Sequence, residues 1–396
     1  MRYKNNKKIL FWLISFLLGI LSVEFGLQAI NAVASLFIKK QENNPLLLYY
    51  QDKPMAQQIW KETWEAINDR DYTPFLGWAD KTYHGLYVNE DQLLGRKTWN
   101  PEVPGGQALA KIFFLGGSSG WGIGARDDFT IPSYLSRMLN VSRSQVQVFN
   151  YCVPGYTFMQ DVIRLGLMLR EGQSPQYVIF YDGFNEIFVA HQQGTAGAVY
   201  NLSMTRERLE RDKLRYRELI WTGLKEAIRK YCMIYRGINA LIPATTQDKE
   251  RQEIADKYND DQLHLLSRDI VNDYLKSAVL LEHLSKAYGF KYICFWQPSM
   301  FTENKLWDKE SNIDPWLKNK ALRKLSIYTN EYLQKKKIPH FYNLTDVLKE
   351  RGEPLYVDAA HVSEKGNEII ANVIYQYVQK EFNLTGGVTY GPMTSQ

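Results

Sequence analysis

The chain has 396 residues, 45% hydrophobic and 23% charged, the make-up of a folded protein long enough for one large domain or two ordinary ones. Its net charge of +5 is mild, and no Lys/Arg cluster lies among stacking aromatics, so nothing points to nucleic acid as a partner. Three cysteines, Cys152, Cys232 and Cys294, are odd in number and lack metal-ligand spacing, which speaks against a disulfide framework or a thiolate metal site.

The N-terminus reads MRYKNNKK, which is basic, then ILFWLISFLLGILSV over residues 9–23 without a charge, continuing past Glu24 and Gln28 into AINAVASLFI. A span needs about 20 such residues. Residues 1–40 are expected to form a retained transmembrane helix, with the basic flank keeping the N-terminus inside and the rest of the chain extracytoplasmic. A cleaved signal peptide is the alternative. Its small-residue site would be Ala32-Val33-Ala34, which lies well beyond the apolar core.

Residues 41–107 are aromatic-rich and irregular, with a short helix expected at KETWEAINDR. Then the pattern becomes regular. The runs KIFFL, VQVFNYCV, YVIFY, YICFW and HFYNL read as five buried strands, rich in β-branched and aromatic residues and mostly bounded by Gly or Pro. Between them lie amphipathic helices. Ile131, Tyr134, Leu135, Met138 and Leu139 follow the helical period behind the start signals Thr130 and Pro132, and Ile369, Ile370, Val373, Ile374, Tyr377 and Val378 repeat it. Strands alternating with helices predict an α/β fold, a parallel sheet with helices on both faces. One long interval separates the third and fourth strands. With its charged stretch TRERLERDKLRYRELIWTGLKEAIRKY, it reads as a helical insertion over about 200–285, either a solvated helix or a lid or membrane-facing surface. Residues 383–396 read as a flexible tail.

The first strand runs into GGSSGWGIG, at residues 116–124. A phosphate loop would need Lys-Ser/Thr behind these glycines, and no lysine follows Lys111 until Lys213. A dinucleotide loop would need an acidic residue at the end of the next strand, and FNYCVPG has none. The remaining use is a sharp turn presenting a serine, and Gly116-Gly117-Ser118-Ser119-Gly120 matches that pattern. A serine needs a base, and the base an orienting group. His84, His191, His264, His283 and His340 read as structural. His361 differs, because Asp358 precedes it by three residues in a loop opening the last helix. That spacing lets the carboxylate hold one ring nitrogen while the other faces a serine.

A serine after the first strand with Asp-x-x-His near the C-terminus resembles the SGNH, or GDSL-type, hydrolase family and its membrane-anchored bacterial members. Four short blocks carry the resemblance over residues 108–382: Gly116-Gly117-Ser118, the stretch VFNYCVPGY with Gly155, DGFNE with Gly183 and Asn185, and Asp358 with His361. Two positions depart from the family. Gly117 stands where the first block has Asp, and Cys152 where the second begins with Gly. The resemblance implies a flavodoxin-like three-layer α/β/α sandwich with a five-stranded parallel sheet. It implies a triad of Ser118, Asp358 and His361, an oxyanion hole from Ser118, Gly155 and Asn185, and no metal or cofactor. Parallel strands share one carboxyl rim, so these residues can converge there.

The expected activity is cleavage of an ester on an acylated small molecule, lipid or polysaccharide. O-acyl transfer onto a cell-surface glycan with the same triad is the alternative, and a non-catalytic membrane-tethered binding protein is a second. An α/β-hydrolase fits less well, since strands usually precede its nucleophile and its acid and histidine lie on separate loops.

Overall fold

The computed structural model describes residues 2–37, 44–102, 110–141, 145–200, 202, 216–235, 237, 253–302, 315–349 and 354–383. The chain divides into two compact units, one of residues 1–43 and 203–252, the other of 44–202 and 253–396. In the smaller unit Arg2–Phe37 is one helix, within which Ile14–Val33 is long and apolar enough to cross a membrane. A second helix there covers Tyr216–Tyr231.

The body is built on a sheet of eight strands. Short antiparallel strands β1 (Arg70–Asp71) and β2 (Ala79–Asp80) form a separate ribbon. The main sheet contains β3 (Tyr83–His84), β4 (Asn89–Asp91), β5 (Gly95–Arg96), β6 (Ala110–Gly116), β7 (Val146–Asn150), β8 (Tyr177–Asp182), β9 (Lys291–Trp296) and β10 (Phe341–Asn343). Their order is β10-β9-β8-β6-β7-β5-β4-β3, and the five strands β7, β6, β8, β9 and β10 are parallel. Taken in chain order those five run 2-1-3-4-5, the flavodoxin-like arrangement whose reversal point lies beside its first strand.

Alternation along the strands makes three layers. Ile112, Phe114, Ile179, Tyr181, Ile293 and Phe295 pack on one face with helices Ile131–Leu139 and Glu364–Phe382. Phe113, Leu115, Val178, Phe180, Tyr292 and Cys294 pack on the other, with Phe158–Arg170, Asp260–Tyr288 and Lys320–Gln334. Each strand buried on both sides reads as a continuous apolar run, as a parallel sheet requires.

Two boundaries differ from the sequence expectation. The five parallel strands are the expected ones, and residues 83–96 extend them with three antiparallel strands at the β7 edge, eight in all among the described residues. These are two or three residues long, too short to show an alternation. The helix Asp260–Tyr288, expected inside the insertion, belongs to the body and buries Leu266, Ile270, Tyr274 and Leu281 against the sheet. The connection between parallel β8 and β9 must cross over, and this helix makes that crossing. The tail beyond Asn383 lies outside the described residues.

Candidate active site

Four loops at the carboxyl rim of the sheet meet in one cleft of about 250 Å³, lined in part by Ser118, Gly155, Asn185, Asp358 and His361. β6 ends at Gly116, and Ser118 opens a single helical turn, Ser118–Trp121, whose preceding residue is Gly117. The Ser118 carbonyl accepts the Gly122 and Ile123 N–H groups at 3.0 and 3.3 Å, which fixes the turn. A side chain at Gly117 would place its Cβ 2.3 Å from the Asn185 amide nitrogen. Glycine there, where the resembled block has Asp, lets the Asn185 amide lie against the Ser118 turn.

Asp358 and His361 arrive on the loop before the last helix. Asp358 Oδ1 accepts the Ala360 and His361 N–H groups at 2.9 and 2.8 Å, so the loop folds around its own carboxylate. The other oxygen lies 2.6 Å from His361 Nδ1, and His361 Nε2 lies 2.7 Å from Ser118 Oγ. Burial pushes the Asp358 carboxyl up, but the His361 ring and the two N–H groups outweigh it and hold it below the usual range. Asp358 therefore stays ionised and selects the His361 tautomer with hydrogen on Nδ1, leaving Nε2 to accept from serine. Ser119 is placed elsewhere. Buried, its Oγ accepts from Gln297 Nε2 at 3.0 Å and donates to the Ala360 carbonyl at 3.2 Å, bracing the histidine loop.

Gly155 sits in a turn closed by the Tyr156 N–H on the Val153 carbonyl at 3.0 Å, with Pro154 before it. Its φ of +88° is the left-handed conformation that a Pro-Gly turn of this type requires. A Cβ would also come within 3.2 Å of the Trp78 ring. Asn185 Nδ2 donates to the Tyr156 carbonyl at 2.6 Å, which uses one of its two amide hydrogens and leaves the second.

Beneath these loops lie acids that no sequence motif announced. Glu186, the residue after Asn185, accepts the Phe158 and Gly183 N–H groups at 2.6 and 2.8 Å and so ties the start of helix Phe184–Gln193, which carries Asn185, to the helix behind Gly155. Asp161 and Asp182 are both buried, and burial pushes both carboxyls up. Behind the Ser118 turn, Trp121 donates its indole N–H to Glu90 at 2.6 Å and lies 4.5 Å beneath the Arg96 guanidinium. Arg96, wholly buried, pairs with Asp127 at 2.8 Å.

The cleft walls were also missed by the sequence reading. Trp64, Arg70, Phe184, Phe188, Tyr200 and Trp316 line it, from four separate parts of the chain. Only Phe184 sits inside a recognisable block. Among the described residues, no group of three or more His, Cys, Asp or Glu side chains is placed to hold a metal ion.

Among solved structures, the chain is similar to a lipolytic protein of the G-D-S-L family from Veillonella parvula, at 10% identity and a TM-score of 0.35 over 69% of this chain and 98% of that one. It is also similar to the acetyl xylan esterase AlAXEase, at 12% identity and 0.37 over 68% and 99%. A third is the psychrotrophic esterase EstA from Pseudoalteromonas sp., at 11% identity and 0.33 over 69% and 99%. No family model matches the chain, and no curated protein matches it by sequence.

Proposed function

We infer that the chain is a serine esterase, cleaving an acyl ester through an acyl-enzyme on Ser118. The observation that carries this reading is the continuous row Asp358–His361–Ser118, with contacts of 2.6 and 2.7 Å, opening into a cleft that also holds Gly155 and Asn185. Ser118 Oγ attacks the ester carbonyl while His361 Nε2 takes its proton, and Asp358 steadies the resulting imidazolium. The carbonyl oxygen, now negative, is met by the Ser118 and Gly155 N–H groups and the second amide hydrogen of Asn185. Collapse expels the alkoxide, which takes the proton from His361. Water then attacks the acyl-enzyme with His361 again as base, returning free acid and Ser118.

The aromatic walls favour an acylated glycan as substrate, since Trp64, Tyr200 and Trp316 offer ring faces on which a sugar can stack. The same walls would hold an accepting sugar, which keeps O-acyl transfer as the second reading. Release of free acid, measured with and without a glycan acceptor, separates the two. The address follows from the basic flank before the apolar helix, with the N-terminal helix retained and the body extracytoplasmic.

The test is covalent labelling by a fluorophosphonate, with Ser118→Ala and Ser119→Ala beside the parent chain. Labelling is expected in the parent and in Ser119→Ala and lost in Ser118→Ala. A folded parent that takes no label, or a Ser118→Ala variant that still does, overturns the assignment.

A further inference from the structure

The Arg2–Phe37 helix carries a carboxylate within its apolar stretch, and the smaller unit supplies its partners. Glu24 accepts the Met233 and Ile234 N–H groups at 2.5 and 2.9 Å and lies 3.3 Å from the Cys232 sulfur. Gln28, one turn further, donates to Glu24 at 3.0 Å and to the Tyr231 carbonyl at 3.4 Å. A carboxylate at mid-bilayer costs about 2.5–3.5 kcal/mol on insertion scales, so a span keeps one near a boundary or beside donors. The second condition holds for this helix. Glu24 lies ten residues into Ile14–Val33, near the middle of that span, where the Met233 and Ile234 N–H groups meet it. Gln28 lies five residues short of Val33, about 7.5 Å at about 1.5 Å per residue, and its bond to the Tyr231 carbonyl holds the segment before Cys232 in the far half of the span. That is within the depth of about 5–10 Å to which an interfacial helix buries its apolar face.

The helix that leads into this segment, Tyr216–Tyr231, has an uncovered apolar face. Ile220, Leu224, Ile228 and Tyr231 recur at helical spacing with Trp221 beside them, and all five are exposed. At about 100° per residue they fall within an arc of about 100°. Lys225 and Arg229 border one side of that arc and Lys230 the other, and all three are exposed. An apolar stripe with Trp, bordered by Lys and Arg, is the pattern of a helix lying in a lipid headgroup layer.

We propose that Tyr216–Tyr231 is a second membrane-contacting element, lying in the interface at the far end of the N-terminal span. Its apolar arc enters the acyl boundary, and Lys225, Arg229 and Lys230 meet anionic headgroups. Two observations independent of each other select a lipid surface as the occupant: the Glu24 tether to an apolar span, and the cations flanking the arc. This rests on the N-terminal helix being retained in the bilayer, and not on the serine chemistry.

The experiment uses the full chain reconstituted in phosphatidylcholine–phosphatidylglycerol vesicles. An NBD fluorophore is attached singly at Leu18→Cys, Leu224→Cys or Arg229→Cys in a Cys232→Ser background, and quenched by doxyl-labelled lipid. Strong quenching is expected at positions 18 and 224 and weak quenching at 229, with quenching at 224 reduced in pure phosphatidylcholine. Quenching at 18 with none at 224 overturns this inference alone. No quenching at 18 overturns the retained span and the inference with it. Equal quenching at 224 in both lipids overturns the headgroup contact.

Discussion

The rim of the parallel strands and the segment 44–102 both shape the cleft, but they are held together in opposite ways. At the rim, the bonds that set the histidine are local: Asp358 reaches the N–H of Ala360 and the ring of His361, two and three residues away, and only the contact of that ring with Ser118 is distant. In the N-terminal segment they are distant. Glu62 accepts the N–H groups of Leu86, Tyr87 and Val88 at 3.0, 2.8 and 3.0 Å, Arg96 reaches Asp127, and Trp78 donates to the Pro154 carbonyl at 3.3 Å. Chemistry is written into short loops, whereas the frame that holds those loops is assembled from residues far apart in the chain. Changes at the rim should therefore remove turnover and spare stability, and changes in the frame should do the reverse.

Asp358→Asn is the sharpest test of the first half. It keeps the shape of the side chain but favours the wrong histidine tautomer, and the rate of ester hydrolysis should fall by about 10⁴. The melting temperature should move little. A rate loss under tenfold would mean that Asp358 does not orient His361. In the frame, Arg96→Met removes the nearest cation from the buried Asp127 carboxylate, which keeps the two Asn89 donors and Lys97 at 3.9 Å, and should cost up to about 3 kcal/mol in denaturant unfolding. Turnover per folded molecule should survive. If it instead collapses with stability intact, the two regions are not separable as argued.

On the proposed mechanism Asn185→Ala removes an oxyanion donor and should lower kcat by about 10²–10³, with KM less affected. Because the Asn185 amide also holds the Tyr156 carbonyl at 2.6 Å, a small stability loss should accompany it. A pure KM effect would place Asn185 in substrate binding rather than at the oxyanion.

The smallest expected effect comes from the buried acids. Burial raises Asp161 and Asp182 above their unfolded values, so the folded state holds protons that the unfolded state releases. The stability this contributes is complete below the unfolded carboxyl range, at about pH 4, and is lost as pH rises through the raised folded values. Asp182→Asn should flatten that decline, and melting curves between acid and mildly alkaline pH would display it. An unchanged slope would show that the pair carries no such linkage.

The sequence by itself determined the elements that repeat at short range. Apolar runs such as YVIFY and YICFW are buried on both faces, so their hydrophobicity alone marked them as parallel strands. The 3.6-residue period marked Ile131–Leu139 and the last helix. Asp358 and His361 were legible because their contact spans three residues, and Ser118, Gly155 and Asn185 because each closes a strand with a recognisable turn. Of the two adjacent serines the Gly-x-Ser block already singled out Ser118, and the tertiary structure decided where each one goes. Ser118 and Ser119 differ by one position on a helical turn, and a rotation of about 100° sends one to His361 and the other to Gln297. It also decided that Asp260–Tyr288 is the crossover rather than part of an insertion, that three strands of two or three residues extend the sheet, and that Trp64, Tyr200 and Trp316 share a wall. Such contacts join residues tens to hundreds of positions apart, and no local periodicity records them. They follow from burial across the whole fold, where one side chain's partner is set by everything else that must pack around it.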